Sequence, residues 1–572
     1  MFEPNVPKMF FEFDDFGSED PDLAATNPMY WYLHEFFANP AHPKSNDVSV
    51  YRNYVQQLGP SINISNKVKC NFHASVTRQV GNRLFQEKRF RAALEKYNES
   101  ICWAKADSEE LALGYANRSA IYYEQKEYEI ALFNITLARK HRYPAKLLPK
   151  LLTREFNCKK NIANDCRDNS TYPELDFTIK TNNKRPSVAQ DIQIKQIPKY
   201  GRGMVANRAF QVGEVILCEQ PIMSSIDTQV KFLNCDFCSS THFHSLIPCP
   251  NCGSVMFCNE ECLEKGLKFI HRFECGIAEK LHHIRTDHYL GIRMFFYGLS
   301  LFEDNIEEMM KFCKSHPKSS ETNPFKIDFT TADRLKQFEL FHKVQDKNRY
   351  ELNDEIVFRF LAALYYEVYL THPTVKSIFA KQCHKNFMLH SFLDYIRTAA
   401  FMKIGPGQHY TEQLFLFAAL CNHSCDPNTL SLHTENQLKF IVLRPIAEND
   451  EILISYGPLC WDHSADKRHS ILRNMYFKCR CDVCVPTDGK FAFNIIKSVL
   501  EHPTLPSIDI FLFAPYVTLK EKLHGLQRYI EYFASIAHPN DELYEAIDAY
   551  GYNLRLAFKE DLGTKLRKTM IS

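Results

Sequence analysis

The spacing of apolar residues divides this chain into long helical blocks separated by stretches of short strands. From 74 to 158 apolar positions recur at helical spacing, and the pattern repeats at an offset of 38 residues: Gly81, Ala93, Tyr97 and Ser100 recur as Ser119, Ala131, Ile135 and Ala138. Small residues at such points let paired helices approach closely, and the stretch from Leu147 to Cys158 opens a third unit. From Pro198 the pattern changes. The segment "RGMVANRAF", a turn at Gly213 and the run "EVIL" predict two short antiparallel strands, and "LKFIVLRP" and "EILISYG" predict further strands downstream. Residues 277–400 return to helical periodicity, interrupted by a loop from Lys314 to Asn323. After Cys484, "FNIIKSVLEHP" and the stretch from Ala514 to Phe558 predict about four amphipathic helices. Residues 1–70 are rich in aromatic residues and carry no assignable pattern. The fold class that follows is multidomain α+β.

Superimposed on this pattern are clustered metal-binding residues. Cys235, Cys238, Cys249, Cys252, Cys258, Cys262, His271 and Cys275 follow C-x2-C-x10-C-x2-C-x5-C-x3-C-x8-H-x3-C. Each close pair can clamp a metal from a tight turn, and four soft ligands close one tetrahedral zinc site, so eight ligands make two sites. A disulfide framework is disfavoured, because CxxC pairs suit metal in a reducing compartment. Cys479, Cys481 and Cys484 form a third cluster that wants a fourth ligand, and Cys425 in "NHSC" is the candidate. The expected total is three zinc ions.

Bulk properties narrow the rest. The chain has 572 residues, enough for several domains, and 45% hydrophobic content, enough for large cores. A net charge of +1 argues against a dedicated nucleic-acid surface. Of 20 cysteines, those outside the clusters, such as Cys102, Cys158 and Cys313, are scattered, as in a cytosolic or nuclear protein. The acidic, aromatic start does not read as a signal peptide, and no apolar run approaches a membrane span.

The repeat stretches "GNRLFQEKRFRAALEKYNESI" and "YANRSAIYYEQKEYEIALFNITLA" resemble tetratricopeptide repeats. Within them Arg78, Asn82, Asn117, Lys150 and Arg154 match positions by which some such domains hold a peptide's C-terminal carboxylate, which would dock an acidic chaperone tail. "GRG", "NHSCDPN" followed by "ISYG", and a terminal CxCxxC resemble SET-domain lysine methyltransferases. A zinc module with MYND spacing inserted after the first strands is similar to the SMYD family, and the preceding repeats resemble its tetratricopeptide-bearing branch.

This resemblance implies a domain order: 1–70 unassigned, 71–180 repeats, 185–234 the first part of SET, 235–275 the MYND-type module. It continues with a helical insertion at 276–400, the SET core at 401–457, a post-SET zinc region at 458–485 and C-terminal helices at 486–572. It implies S-adenosylmethionine as cofactor, with Tyr200, Gly201, Arg202, Asn422, His423 and Phe477 around it. Tyr456 is expected where methyl donor and lysine meet. One position departs from the family: Arg397, in "YIRTAAFMKI", takes the place of an Asn, and an Arg cannot accept a hydrogen bond from the cofactor's ammonium.

The function expected is a protein-lysine N-methyltransferase. It would act on histone or other proteins, in cytoplasm and nucleus, as a monomer, with co-repressor peptides as further partners of the zinc module. The competing reading is a chaperone-linked zinc adaptor or transcriptional co-regulator with weak or absent activity. A zinc-dependent DNA-binding regulator is weaker still, since the module shows no finger-type recognition helix.

Overall fold

The computed structural model describes residues 43–57, 67–164, 179–198, 201–240, 245–284, 288–319, 322–344, 350–402, 411–434, 437–485, 495–502 and 504–569, with side chains described to 557. Tyr200 and residues 1–42 lie outside the described residues.

The repeat is visible in the backbone. Helices Asn71–Gln86 and Phe90–Trp103 are followed by Glu109–Glu124 and Tyr128–Lys140, and then by Leu148–Ala163. The offset of 38 recurs in the connections: Lys88 (φ 59°) and Lys126 (φ 61°) both turn the chain in the left-handed region. Gly81 shows why small residues mark the pattern, since a Cβ there would lie 2.6 Å from the Tyr97 ring. Ser108 caps the third helix by accepting from Leu111 N–H, and Glu109 and Glu110 complement its dipole.

These helices pack directly on the zinc-ligand region. Ile101, Tyr115, Ile135 and Leu151 share one apolar core with Phe232, Leu246 and Met256. Arg118 is fully buried in this contact. It donates to Asn98 Oδ1 and Asn134 Oδ1 at 2.7 Å each and to the Leu246 carbonyl at 2.8 Å.

The strand region starts earlier than expected, at Thr181–Asn182 and Arg185–Ala189. Those two strands join Val215–Glu219, Gln437–Val442 and Thr429–Thr434 in a five-stranded antiparallel sheet. The expected hairpin across Gly213 does not form. Gly201–Ala206 pairs instead with Ile192–Ile197, while Val215–Glu219 pairs with strands from both sides of the zinc-ligand region. Short strands far apart in sequence closed the sheet, so local alternation identified the strands but not their partners.

Among the described residues, seven α-helices between Ala278 and Met402 form the insertion. Tyr289–Leu301 and Gln382–Met402 pack so closely that a Cβ at Gly291 would meet the Tyr395 carbonyl at 2.4 Å. The previously unassigned region contributes helix Val48–Gln57, whose Val48, Tyr51 and Val55 are buried in the same core. Burying three such side chains contributes roughly 5 kcal/mol, enough to hold a helix too short to persist alone. Arg52 adds a 2.7 Å ion pair to Glu367.

The C-terminal block has three described helices, Ile508–Phe513, Leu519–Phe533 and Asp541–Thr569, rather than four. "FNIIKSVLEHP" is not helical where it is described; Ile496 makes a bridge to Asn540. A capping box of Thr518 and Glu521 starts the second helix. The block buries Leu526, Ile530, Leu543 and Ile547 against Val215, Leu432, Ile441 and Leu443 of the sheet. No described helix is long and apolar enough to cross a membrane.

Candidate functional site

Two strands of two residues each organise the centre. Asn422–His423 pairs in parallel with Leu453–Ile454. This pair is held against Gly201–Ala206 by the Ile452 N–H to Met204 carbonyl bond of 2.9 Å and by Asn422 Nδ2, which donates to the Arg202 carbonyl at 3.0 Å and to Glu451 Oε1 at 2.7 Å. The two glycines of "GRG" serve different needs. Gly201 has φ +86°, a conformation L side chains rarely adopt. At Gly203 a Cβ would lie 2.3 Å from Glu451 Oε1 and 2.8 Å from Asn422 Nδ2. Side-chain bulk there would displace Asn422.

Just beyond Ile454 stands Tyr456. Its N–H donates to His423 Nδ1 at 3.0 Å and its hydroxyl to the Cys421 carbonyl at 2.8 Å. Ring contacts close a trio: Tyr456 to His423 at 5.1 Å, Tyr456 to Phe477 at 5.3 Å, His423 to Phe477 at 5.6 Å. Burial lowers His423 to about 4, so the imidazole is neutral at physiological pH. With Nδ1 accepting, the tautomer assigned by this pattern carries its proton on Nε2, 3.3 Å from Cys425 Sγ. His423 thus connects the aromatic trio to a cysteine cluster.

That cluster is Cys425, Cys479, Cys481 and Cys484, and it matches the sequence expectation. The four sulfurs lie within 4.8 Å of one another, with Cys425 at 3.9 Å from Cys479 and 3.6 Å from Cys484. Such spacings suit the edges of a tetrahedron whose metal–sulfur bonds are about 2.3 Å. Arg468 approaches Cys484 Sγ at 3.5 Å and supplies a cation beside the thiolates. The next residue, Asp426, receives the Tyr544 hydroxyl at 3.2 Å and pairs with His538 at 2.9 Å and Arg444 at 3.2 Å. The C-terminal helices therefore grip the same loop.

The eight central ligands form two tetrads by interleaving, a pairing the spacing alone left open. Cys235 and Cys238 meet Cys258 and Cys262; Cys249 and Cys252 meet His271 and Cys275. Cys238 and Cys258 sulfurs are 3.7 Å apart, and His271 Nε2 lies 3.3 Å from Cys249 Sγ and 3.4 Å from Cys252 Sγ. All three tetrads could hold zinc. Hydrogen bonds from neighbouring thiols lower at least one member of each, led by Cys235 for Cys238, Cys252 for Cys249 and Cys425 for Cys481. Arg293, fully buried on Tyr289–Leu301, then ties both central tetrads to the insertion. It bonds Asp236 Oδ2 at 2.7 Å and Glu274 Oε2 at 2.9 Å, the residues next to Cys235 and Cys275.

On the Arg202 side a recess is lined by Arg202, Thr322, Pro324, Leu340, Val344, Phe401, Met402, Leu416, Ala419 and Leu420. Arg202 donates to the Thr322 carbonyl, and burial lowers its pKa. Arg397 is not among the residues that line this recess. Its guanidinium pairs with Glu355 and lies 3.7 Å from Asp394, while Phe401 and Met402 of the same helix face the recess. The helical register of "YIRTAAFMKI" puts Arg397 on the face toward Leu352–Tyr369.

In the repeats the five singled-out residues are only partly brought together. Asn117 Nδ2 donates to Asn82 Oδ1 at 2.7 Å, and Tyr97 donates there at 2.9 Å. Arg78 pairs with Glu110 at 3.0 Å, Arg154 bonds the Ala116 carbonyl and Ser119, and Lys150 is exposed. Sequence reasoning also missed Tyr476. It adopts φ 57°, bonds His288 at 2.8 Å and packs on Phe358 and Tyr350 beside Phe477.

Residues 201–457 match the SET domain family. That match covers just under half of the chain, and the chain resembles the SMYD4 lysine methyltransferases. It is 22% identical to "Protein-lysine N-methyltransferase SMYD4" of Pongo abelii, the match covering 71% of this chain and 66% of that protein. The Homo sapiens protein of that name is 23% identical over the same shares. The Danio rerio one is 27% identical over 42% of this chain and 34% of its own length. The chain thus spans just under two thirds of the first of these relatives. The two central tetrads and the insertion helices to Met402 lie inside the SET match, whose first strand carries "GRG" and whose last residues carry Tyr456, whereas Cys479, Cys481 and Cys484 of the third tetrad lie beyond it.

Proposed function

We propose that this protein is an S-adenosylmethionine-dependent protein-lysine N-methyltransferase, with tetratricopeptide-like repeats and a MYND-type module, holding three structural zinc ions. The observation that carries the reading is the trio of His423, Tyr456 and Phe477, built where two SET strands meet and backed by the third cysteine tetrad. Gly201, Arg202, Asn422, His423 and Phe477 would hold the cofactor, which supplies an electrophilic sulfonium methyl when bound. Tyr200 belongs to the same set by its place in the motif.

The chain's own residues account for the rest. In-line displacement needs amine and methyl held close and collinear, so positioning dominates. Aromatic walls at Tyr456 and Phe477 disfavour a charged ammonium and so favour the free amine that must attack. The Tyr456 hydroxyl, which donates to the Cys421 carbonyl, would direct that amine. The uncharged His423 fixes the Tyr456 backbone from below.

Calorimetric titration of S-adenosylmethionine, beside radiolabelled methyl transfer to histones and cell-extract proteins, tests the reading. Cofactor binding with labelled lysine supports it; a folded protein that binds no cofactor overturns it. One observation favours the adaptor reading: the described end of Gln382–Met402 faces the recess with Phe401 and Met402, which offer no side-chain acceptor to an ammonium. A chaperone tail at the repeat groove would have to displace Glu110 from Arg78. Weaker binding of a C-terminally amidated acidic peptide would support that docking. Cytoplasmic and nuclear residence, a monomeric state and co-repressor peptides at the zinc module complete the proposal.

A further inference from the structure

Glu219 ends strand Val215–Glu219 and is 4% exposed, yet it touches none of the aromatic trio. Its Oε1 accepts from the N–H groups of Leu416 at 2.7 Å and Phe417 at 3.0 Å; its Oε2 accepts from Phe417 at 3.2 Å and Ala418 at 2.8 Å. Three successive backbone donors thus converge on one carboxylate, at the start of the single turn Ala418–Leu420. Charge-assisted bonds of this kind are about twice as strong as neutral ones. Burial pushes the carboxyl up to about 7, and the three donors pull against that rise.

The pinned segment has two jobs. Leu416, Ala419 and Leu420 form one wall of the recess beside Arg202. The chain then continues into Cys421, whose carbonyl holds the Tyr456 hydroxyl, and into Asn422 and His423. One wall of the recess and His423 of the aromatic trio are therefore carried on one short segment, which also holds the Tyr456 hydroxyl through Cys421 and is anchored at its start by Glu219 and at its end by Cys425. A neutral amide could not replace the anchor. It would offer one oxygen and turn an NH2 toward groups that are themselves donors.

We propose that Glu219 is a positioning residue for methyl transfer: it sets the 416–423 segment so that the recess and Tyr456 stay in register. This rests on the methyltransferase reading. The test compares full-length wild type, Glu219→Gln and Glu219→Asp by calorimetric cofactor titration, methyl-transfer kinetics, zinc analysis and thermal unfolding. The expected result is a folded Glu219→Gln protein with wild-type zinc content, cofactor affinity weakened about tenfold or more and kcat reduced. Glu219→Asp, which keeps the charge on a shorter arm, should recover part of both. A Glu219→Gln protein that melts earlier but binds and turns over like wild type would overturn the proposal and leave the methyltransferase reading intact. Should the Gln variant fail to fold, Glu219→Asp must show the same loss in affinity and kcat, and wild-type values there would also overturn it. No cofactor binding by wild type would remove the methyltransferase reading and this proposal with it.

Discussion

The central tetrads draw all eight ligands from 235–275, whereas the third joins Cys425 to Cys479, 54 residues away. The central pair is bolted to the insertion through Arg293 and lies against the repeat helices. The third tetrad instead touches the site itself, since Cys425 Sγ lies 3.3 Å from His423, whose Nδ1 receives the Tyr456 N–H. Similar ligand sets thus serve different ends. One set lies within a single short stretch; the other joins the loop that carries His423 to the segment that follows Phe477. Closed soft-ligand sites supply folding energy wherever they occur, but what that energy holds in place depends on the neighbours.

Breaking the third tetrad should have the largest effect. Cys425→Ala is expected to remove one zinc per chain, by elemental analysis, and to lower methyl transfer by at least about 10³, because the segment holding Asn422 and His423 loses its distal anchor. Near-normal turnover in that variant would erase the distinction. Tyr456→Phe should cost on the order of 10²–10³ in rate while leaving cofactor affinity and all zinc in place, since only the hydroxyl is lost. A large loss of affinity would recast Tyr456 as a binding residue.

Cys258→Ala should also remove one zinc, but at equal foldedness it should cost less than about tenfold in methyl transfer, because its tetrad shares no residue with the loop that carries Asn422 and His423. Equal losses for Cys258→Ala and Cys425→Ala, in side-by-side assays, would mean that the two regions do not differ in role.

The smallest expected effect concerns the segment's other anchor. Glu219 holds its proton more tightly folded than unfolded, with a folded value of about 7 against a usual 4.5. The stability it contributes is therefore present below the usual value and is lost as pH rises through about 7. The unfolding free energy of wild type minus that of Glu219→Gln should shrink as pH rises from 4.5 to about 7 and level off above that, by denaturant titration. A difference independent of pH would place the Glu219 titration elsewhere.

How legible these features were depended on range in sequence. The repeat was readable because its small residues, such as Gly81, answer to partners one helix away, such as Tyr97. The hairpin across Gly213 was misread because Val215–Glu219 finds its partners in Arg185–Ala189 and Gln437–Val442. Helix Val48–Gln57 went unseen because ten residues carry too little periodic signal, and its stability comes from a core more than two hundred residues downstream. Which way Arg397 faces was not legible, because sequence position says nothing of which helix it meets, and Glu355 of Leu352–Tyr369 decides that. Arg78 read as a free cation because Glu110 sits on another helix.

By itself the sequence determined which twelve residues come together in candidate metal-binding tetrads, the helical repeat, and the motifs around Gly201, Asn422 and Tyr456. Such features are set by side-chain chemistry and by spacing within a turn or two, which backbone geometry fixes locally. Only the tertiary structure decided that the central ligands interleave, that Glu219 and Cys425 anchor the same segment, and that Arg293 braces two tetrads at once. Those depend on contacts between distant segments. Such contacts form because burying apolar faces together outweighs the entropy of bringing them into place, and no local pattern records which faces will meet.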